Sequence, residues 1–198
     1  MDVLLAVVAG MLLLLPMLAI AALVRLTSAG PALYWSDRVG HGNRIFRMPK
    51  FRSMRTDAPE VAAHLLTRPD AWITPVGRFL RATSLDELPQ LWCILLGEMS
   101  FVGPRPALFN QYDLIAERTA HSVHKLRPGL TGWAQINGRD ELTVVDKTAY
   151  DAWYLQHASF LLDLKIILLT AGKMVHRGSK TRTPRKESTP PADLRKSA

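Results

Sequence analysis

Residues 3–24 read VLLAVVAGMLLLLPMLAIAALV, a run without one charged or strongly polar side chain. Its reading decides the fold, because about 20 apolar residues rising about 1.5 Å each suffice to cross a bilayer as a helix. A cleaved secretory signal fits less well. Asp2 stands where a basic residue would be needed, and the run exceeds the usual length of about 7–15 residues, although Ala19-Ile20-Ala21 imitates a cleavage site. Pro16 lies near the middle of the run. A proline there removes one backbone donor and clashes with the carbonyl four residues earlier. Two geometries follow: a kinked spanning helix, or a helix–break–helix that enters and leaves by the same face. Composition leaves both open.

Immediately downstream, Arg25, Arg38, Arg44, Arg47, Lys50, Arg52 and Arg55 follow one another closely. Such an excess of basic residues places the rest of the chain on the cytoplasmic side. The 198 residues suffice for one domain with a true core and a short appendage, and their net charge of +8 points to an anionic partner. Nucleic acid, a phosphate-rich substrate and anionic lipid all meet that description; the membrane segment argues against nucleic acid. Cys93 is the one cysteine, which excludes an internal disulfide and a cysteine-based zinc cluster. Within LPQLWCILL it reads as a small buried thiol, compatible with a reducing compartment.

Periodicity predicts a β-hairpin, residues 32–38 and 44–51, turned by Gly40-His41-Gly42-Asn43. Asp57 and Pro59 open a short helical pattern to residue 66, and residues 67–77 connect onward. A helix over 85–97 carries Leu88, Leu91, Trp92, Leu95 and Leu96 on one face. VGPRPAL then forces an extended turn, and helices are predicted over 107–126 and 146–176, separated by the glycine-punctuated RPGLTGWAQINGR with a short strand in it. The stretch FLLDLKIILLTAG reads equally as an interfacial or a core helix segment. The last residues, basic and rich in proline and serine, read as a disordered tail.

The chemistry concentrates in TSLDELPQL, residues 83–91. Ser84, Asp86 and Glu87 fit a helix start, with Ser84 in a capping box or Asp86 as the cap itself. Either keeps both carboxylates ionised at the positive end of a helix dipole. An ionised carboxylate also attacks phosphorus, and a second one beside it can hold Mg²⁺. The nine residues alone do not separate these readings. Arg78 and Arg81 upstream, Arg105 between two prolines, and Lys50 and Arg52 after the hairpin shift the balance toward a diphosphate site. Gly129, Gly132 and Gly138 would allow close approach of backbone to a ligand. The histidines lack ligand spacing, Trp133, Trp153 and Tyr154 read as core or interface aromatics, and no phosphate-loop or dinucleotide fingerprint is present.

Taken together, KFRSMR (50–55), ITPVGRFLRATSLDELPQLW (73–92), GEMSFVGPRP (97–106), RPGLTGWAQINGR (127–139) and DAWYLQHASFLLDLKII (151–167) resemble the bacterial sugar transferase family, the monotopic polyprenyl-phosphate glycosyl-1-phosphate transferases. The resemblance implies transfer of a sugar-1-phosphate from a UDP-sugar to undecaprenyl phosphate, with Mg²⁺, releasing UMP. It implies an α+β, mainly helical fold: a re-entrant membrane helix–break–helix (1–26) turned at Pro16, a small cytoplasmic catalytic domain (27–176) with a β-hairpin and amphipathic interface helices, and the basic tail (177–198). The enzyme would sit on the bacterial inner (plasma) membrane with its catalytic domain on the cytoplasmic face, contacting anionic lipids, with a homodimer as a further expectation. By the same resemblance Asp86 is the nucleophile of a ping-pong reaction through a phosphosugar–aspartyl intermediate, and Glu87 binds the metal. Lys50, Arg81 and Arg105 hold phosphates, and Arg139 contacts the nucleotide. Alternatives are a membrane-tethered binding protein without catalysis and a metal-dependent phosphohydrolase. Leu15 replaces the serine common before the membrane proline, Cys93 a common asparagine, and no basic cluster precedes the first helix.

Overall fold

A computed structural model of the chain describes residues 2–58, 69–138 and 141–177. The helical pattern expected up to residue 66, Arg139 and the basic tail beyond 177 lie outside these residues. The described chain is mainly helical with two small sheets, and it divides into two compact units, Met1–Ser36 with Arg47–Gly97, and Asp37–Phe46 with Glu98–Ala198.

The first unit begins with α1 (Asp2–Thr27), long and apolar enough to cross a membrane; only 6% of its most apolar window is buried. Met11, Leu12 and Leu15 are almost wholly exposed, a surface that water disfavours and lipid accepts. The helix continues through Pro16, so that the expected helix–break–helix is one helix with proline inside it. Losing one or two backbone bonds bends a helix without ending it.

The C-terminal half of α1 is what ties this helix to the unit. Val24 is buried with Phe51 and Leu80, and Met17, Ile20, Ala21, Leu33, Val76, Leu85 and Leu88 pack around them. Phe51 ends β2 (Ile45–Phe51), which pairs in a hairpin with β1 (Leu33–Val39), as predicted. After α2 (Pro69–Trp72), Thr74 caps α3 (Pro75–Thr83) by accepting from Gly77 N at 2.9 Å.

The single helix expected over 85–97 is instead a 3-10 segment, Leu85–Gln90, followed by the short α4 (Leu91–Leu95). Pro89, which has no backbone N–H to donate, lies inside the 3-10 segment. The change of winding rotates the side chains. Leu91, Cys93 and Ile94 are buried, whereas Trp92 and Leu96 of the expected apolar face are exposed. Cys93 is the buried thiol its context predicts.

In the second unit, Arg38 and Val39 of β1 pair antiparallel with Leu108 and Ala107 of β4 (Ala107–Leu108). β3 (Ser100–Val102) runs parallel to β5 (Gly129–Thr131), the strand expected within the glycine loop. The helix predicted over 107–126 shrinks to α5 (Tyr112–Ala120), because β4 occupies its start and Ser122, at φ 61°, turns the chain after it. The helix predicted over 146–176 is two, α7 (Val144–His157) and α8 (Phe160–Arg177). Ser159 separates them, accepting from Leu162 N at 3.3 Å. Val102, Ile136, Tyr154 and Ile166 form the core here, and α6 (Trp133–Ile136) carries Trp133, stacked on Trp153 at 4.8 Å.

Gly129 and Gly132 are required by the backbone of the unit itself. A Cβ on Gly129 would lie 2.1 Å from Gly103 N, and one on Gly132 would lie 2.0 Å from Gly103 O. Both approach the chain at Gly103, at the end of β3, too closely for any side chain.

Candidate functional site

Four of the residues singled out by sequence fall in the first unit: Lys50, Arg81, Asp86 and Glu87. Lys50 lies near the end of β2, its Nζ 5.3 Å from the centre of the Tyr34 ring. Arg81 is in the last turn of α3, and its Nη1 is buried without a hydrogen-bond partner among the described residues. Such a donor is costly to leave unpaired.

Between Arg81 and the acids stands Ser84, with φ 59° and ψ 16°, the left-handed conformation. It ends α3 and begins the 3-10 segment, so Asp86 and Glu87 lie in the first turn of that segment. Asp86 is buried and Glu87 half-buried. The expected capping box is not formed, since the Ser84 side chain makes no cap bond; what aims the acid pair is the backbone reversal. Ser84→Gly is therefore expected to keep thermal stability near wild type. Ser84→Val, β-branched in a left-handed position, should cost about 1–2 kcal/mol, read as a lowered melting temperature. A valine variant as stable as wild type would remove this account.

Two other basic residues named with the site have structural or open positions. Arg52 is buried, and its Nη2 donates to Ser28 O and Ser28 Oγ, both at 2.7 Å. Burial, and then the Arg25 guanidinium, hold its pKa below the ordinary arginine value. It clips the exit of α1 to β2. Arg78 is exposed.

Among the described residues no group of three or more His, Cys, Asp or Glu could hold a metal ion. Magnesium asks for less: hard oxygen donors from one or two carboxylates, completed by substrate phosphates and water. Asp86 and Glu87, adjacent in sequence, supply that kind of donor set.

Arg105 lies in the second unit, partly exposed between the buried Pro104 and Pro106. Its carbonyl accepts from Arg118 Nη1 at 2.8 Å. Arg118 in turn is bound to Asp151 Oδ2 through Nη2 at 2.6 Å and Nε at 3.0 Å, both residues being buried. Burial pushes the Asp151 carboxyl above the usual carboxylate range, while the Arg118 guanidinium pulls it back. Neither Arg118 nor Asp151 stood out in the sequence. A lone acid in YDAWYL and a lone arginine in α5 look like solvated helix faces, and only their meeting across the unit marks them.

The chain is similar throughout to known proteins. The bacterial sugar transferase family matches residues 1–177. An uncharacterized sugar transferase of Bacillus subtilis, EpsL, is 43% identical over 155 residues, covering 78% of this chain and 75% of its own length. The undecaprenyl-phosphate glucose phosphotransferase of Komagataeibacter xylinus is 44% identical over 172 residues, 81% of this chain and 32% of that protein. The UDP-glucose:undecaprenyl-phosphate glucose-1-phosphate transferase of Xanthomonas campestris is 43% identical over 188 residues, 91% of this chain and 38% of its own. The chain thus spans three quarters of the Bacillus relative and about a third of the other two.

Proposed function

The chain belongs to the bacterial sugar transferase family, and from that membership we propose that it transfers a sugar-1-phosphate from a UDP-sugar to undecaprenyl phosphate. The observation that carries the reading onto this chain is the acid pair, with Asp86 buried and turned by Ser84, a few residues after the buried Arg81 Nη1, which has no hydrogen-bond partner among the described residues.

In the first step an Asp86 carboxylate oxygen bonds to the sugar-bearing phosphorus while the bond from that phosphorus to the bridging oxygen breaks. UMP leaves with the electron pair. In the second, an oxygen of undecaprenyl phosphate attacks the same phosphorus and expels the Asp86 carboxylate, giving undecaprenyl-diphosphate-sugar. A carboxylate is a weak base but a competent nucleophile once the diphosphate charge is neutralised. Glu87 would hold Mg²⁺, which would supply that neutralisation when bound. Lys50 and Arg81 hold phosphate oxygens, Arg105 does so from the second unit, and Arg139 contacts the nucleotide. α1 enters the cytoplasmic face of the bacterial inner membrane and bends at Pro16 to leave by the same face, and anionic lipid attracts the basic residues after it.

The test follows UMP with purified protein in lipid or detergent, over a panel of UDP-sugars. UMP release is expected only when undecaprenyl phosphate and Mg²⁺ are both present in multiple turnovers, and chelation should abolish it. Sugar phosphate released without lipid acceptor would instead establish a phosphohydrolase, and binding without turnover a non-catalytic protein.

A further inference from the structure

Pro104 and Pro106 have no backbone N–H, so the Pro-Arg-Pro turn presents three consecutive carbonyls and a single donor. All three carbonyls are occupied from outside the turn. Pro104 O accepts from Gly129 N at 2.9 Å, Arg105 O from Arg118 Nη1 at 2.8 Å, and Pro106 O from Arg38 Nη1 at 3.2 Å. The middle donor is itself fixed, because the other two nitrogens facing Asp151 bind one carboxylate oxygen. The planar guanidinium therefore divides its donors between a carboxylate on α7 and a carbonyl of the turn, which an ammonium could not do with the same geometry. A small cavity lies against the turn, lined by Pro104, Arg105, Pro106, Arg118 and His124 among others. On that side hydrogen bonds, rather than close packing, limit movement of the turn.

We propose that Arg118, oriented by Asp151, is a positioning residue for Arg105, holding the turn so that the Arg105 side chain meets a phosphate oxygen in one direction. The inference rests on the proposed phosphate role of Arg105. A buried ion pair is poor evidence of stability, since apolar replacements are often as stable. Direction is what this pair supplies: a displacement of about 1 Å in a charged group at a reaction centre costs on the order of 100-fold in rate.

The test is a kinetic cycle on the full chain, measuring UMP release for wild type, Arg105→Ala, Arg118→Lys and the double variant, with melting temperatures alongside. Arg105→Ala is expected to lower kcat/KM about 100-fold, and Arg118→Lys about tenfold. The double variant should match Arg105→Ala within about twofold, because a positioning residue has nothing left to position. A further tenfold loss in the double variant would overturn the inference and leave Arg118 a structural residue. Wild-type rates for Arg105→Ala would instead overturn the phosphate role beneath it. If Arg118→Lys does not accumulate as folded protein, Asp151→Asn, of equal size and with an acceptor oxygen retained, replaces it in the same cycle.

Discussion

Asp86→Asn is expected to abolish UMP release, with a loss on the order of 10³-fold or more. The substitution preserves shape and leaves an acceptor oxygen, so the 3-10 segment and the packing of Leu85 and Leu88 on Leu80 should persist. What it removes is the negative charge and the oxygen of the proposed nucleophile, without which the proposed aspartyl intermediate could not form. Asp86 is only 8% exposed, so water gains no easy route to substitute for it. Membrane association and the melting temperature should stay within error of wild type, which separates lost chemistry from lost fold. Turnover within a few-fold of wild type would sink the nucleophile assignment.

The second large effect concerns a glycine in the first turn of α3. A Cβ on Gly77 would lie 1.9 Å from Ser53 O and 2.5 Å from Ser53 C. The obstacle is backbone, and it cannot swing aside: Ser53 O already accepts from Thr74 N at 3.1 Å. Gly77 N is in turn the donor to the Thr74 cap. Gly77→Ala must therefore push α3 off the end of the hairpin strand or break the cap. Either costs about 3 kcal/mol or more, a fall in melting temperature of roughly 6–12 °C for a chain of this size. Because α3 ends at Ser84, activity should fall with it. Gly10→Ala is the control, since nothing lies within 4 Å of a Cβ there, and it should be neutral. An unchanged melting temperature for Gly77→Ala would show that the first turn of α3 is not held as described.

Sequence patterns were most legible where the signal was local. The hairpin follows from alternation around a glycine-containing turn, and α1 follows from an apolar run that no other structure explains. The helices after it were predicted too long for one reason. Apolar residues continue through Ala158-Ser159 and through Ser122, so periodicity does not register breaks made by backbone angle and side-chain capping. The same blindness assigned Trp92 and Leu96 to a buried face: α-helical spacing was extended through a segment that is wound as 3-10 up to Gln90.

The site divides in the same way. Asp86, Glu87, Lys50, Arg81 and Arg105 could be named from residue type and motif, because phosphate chemistry needs carboxylates, metal and fixed cations whatever holds them. Their supports could not. That Ser84 acts through its left-handed backbone rather than its hydroxyl, that Gly129 and Gly132 serve a strand contact with Gly103, and that Arg118 joins Asp151 to the Arg105 carbonyl are all relations between residues distant in the chain or set by φ alone. By itself, then, the sequence determined the membrane-seeking helix, the hairpin and the candidate residues for the proposed chemistry, since hydrophobicity, alternation and functional groups belong to the residues themselves. Only the tertiary structure decided where helices stop, which face is buried and what holds each reactive group in place, because direction and close approach are properties of contacts and no single residue carries them.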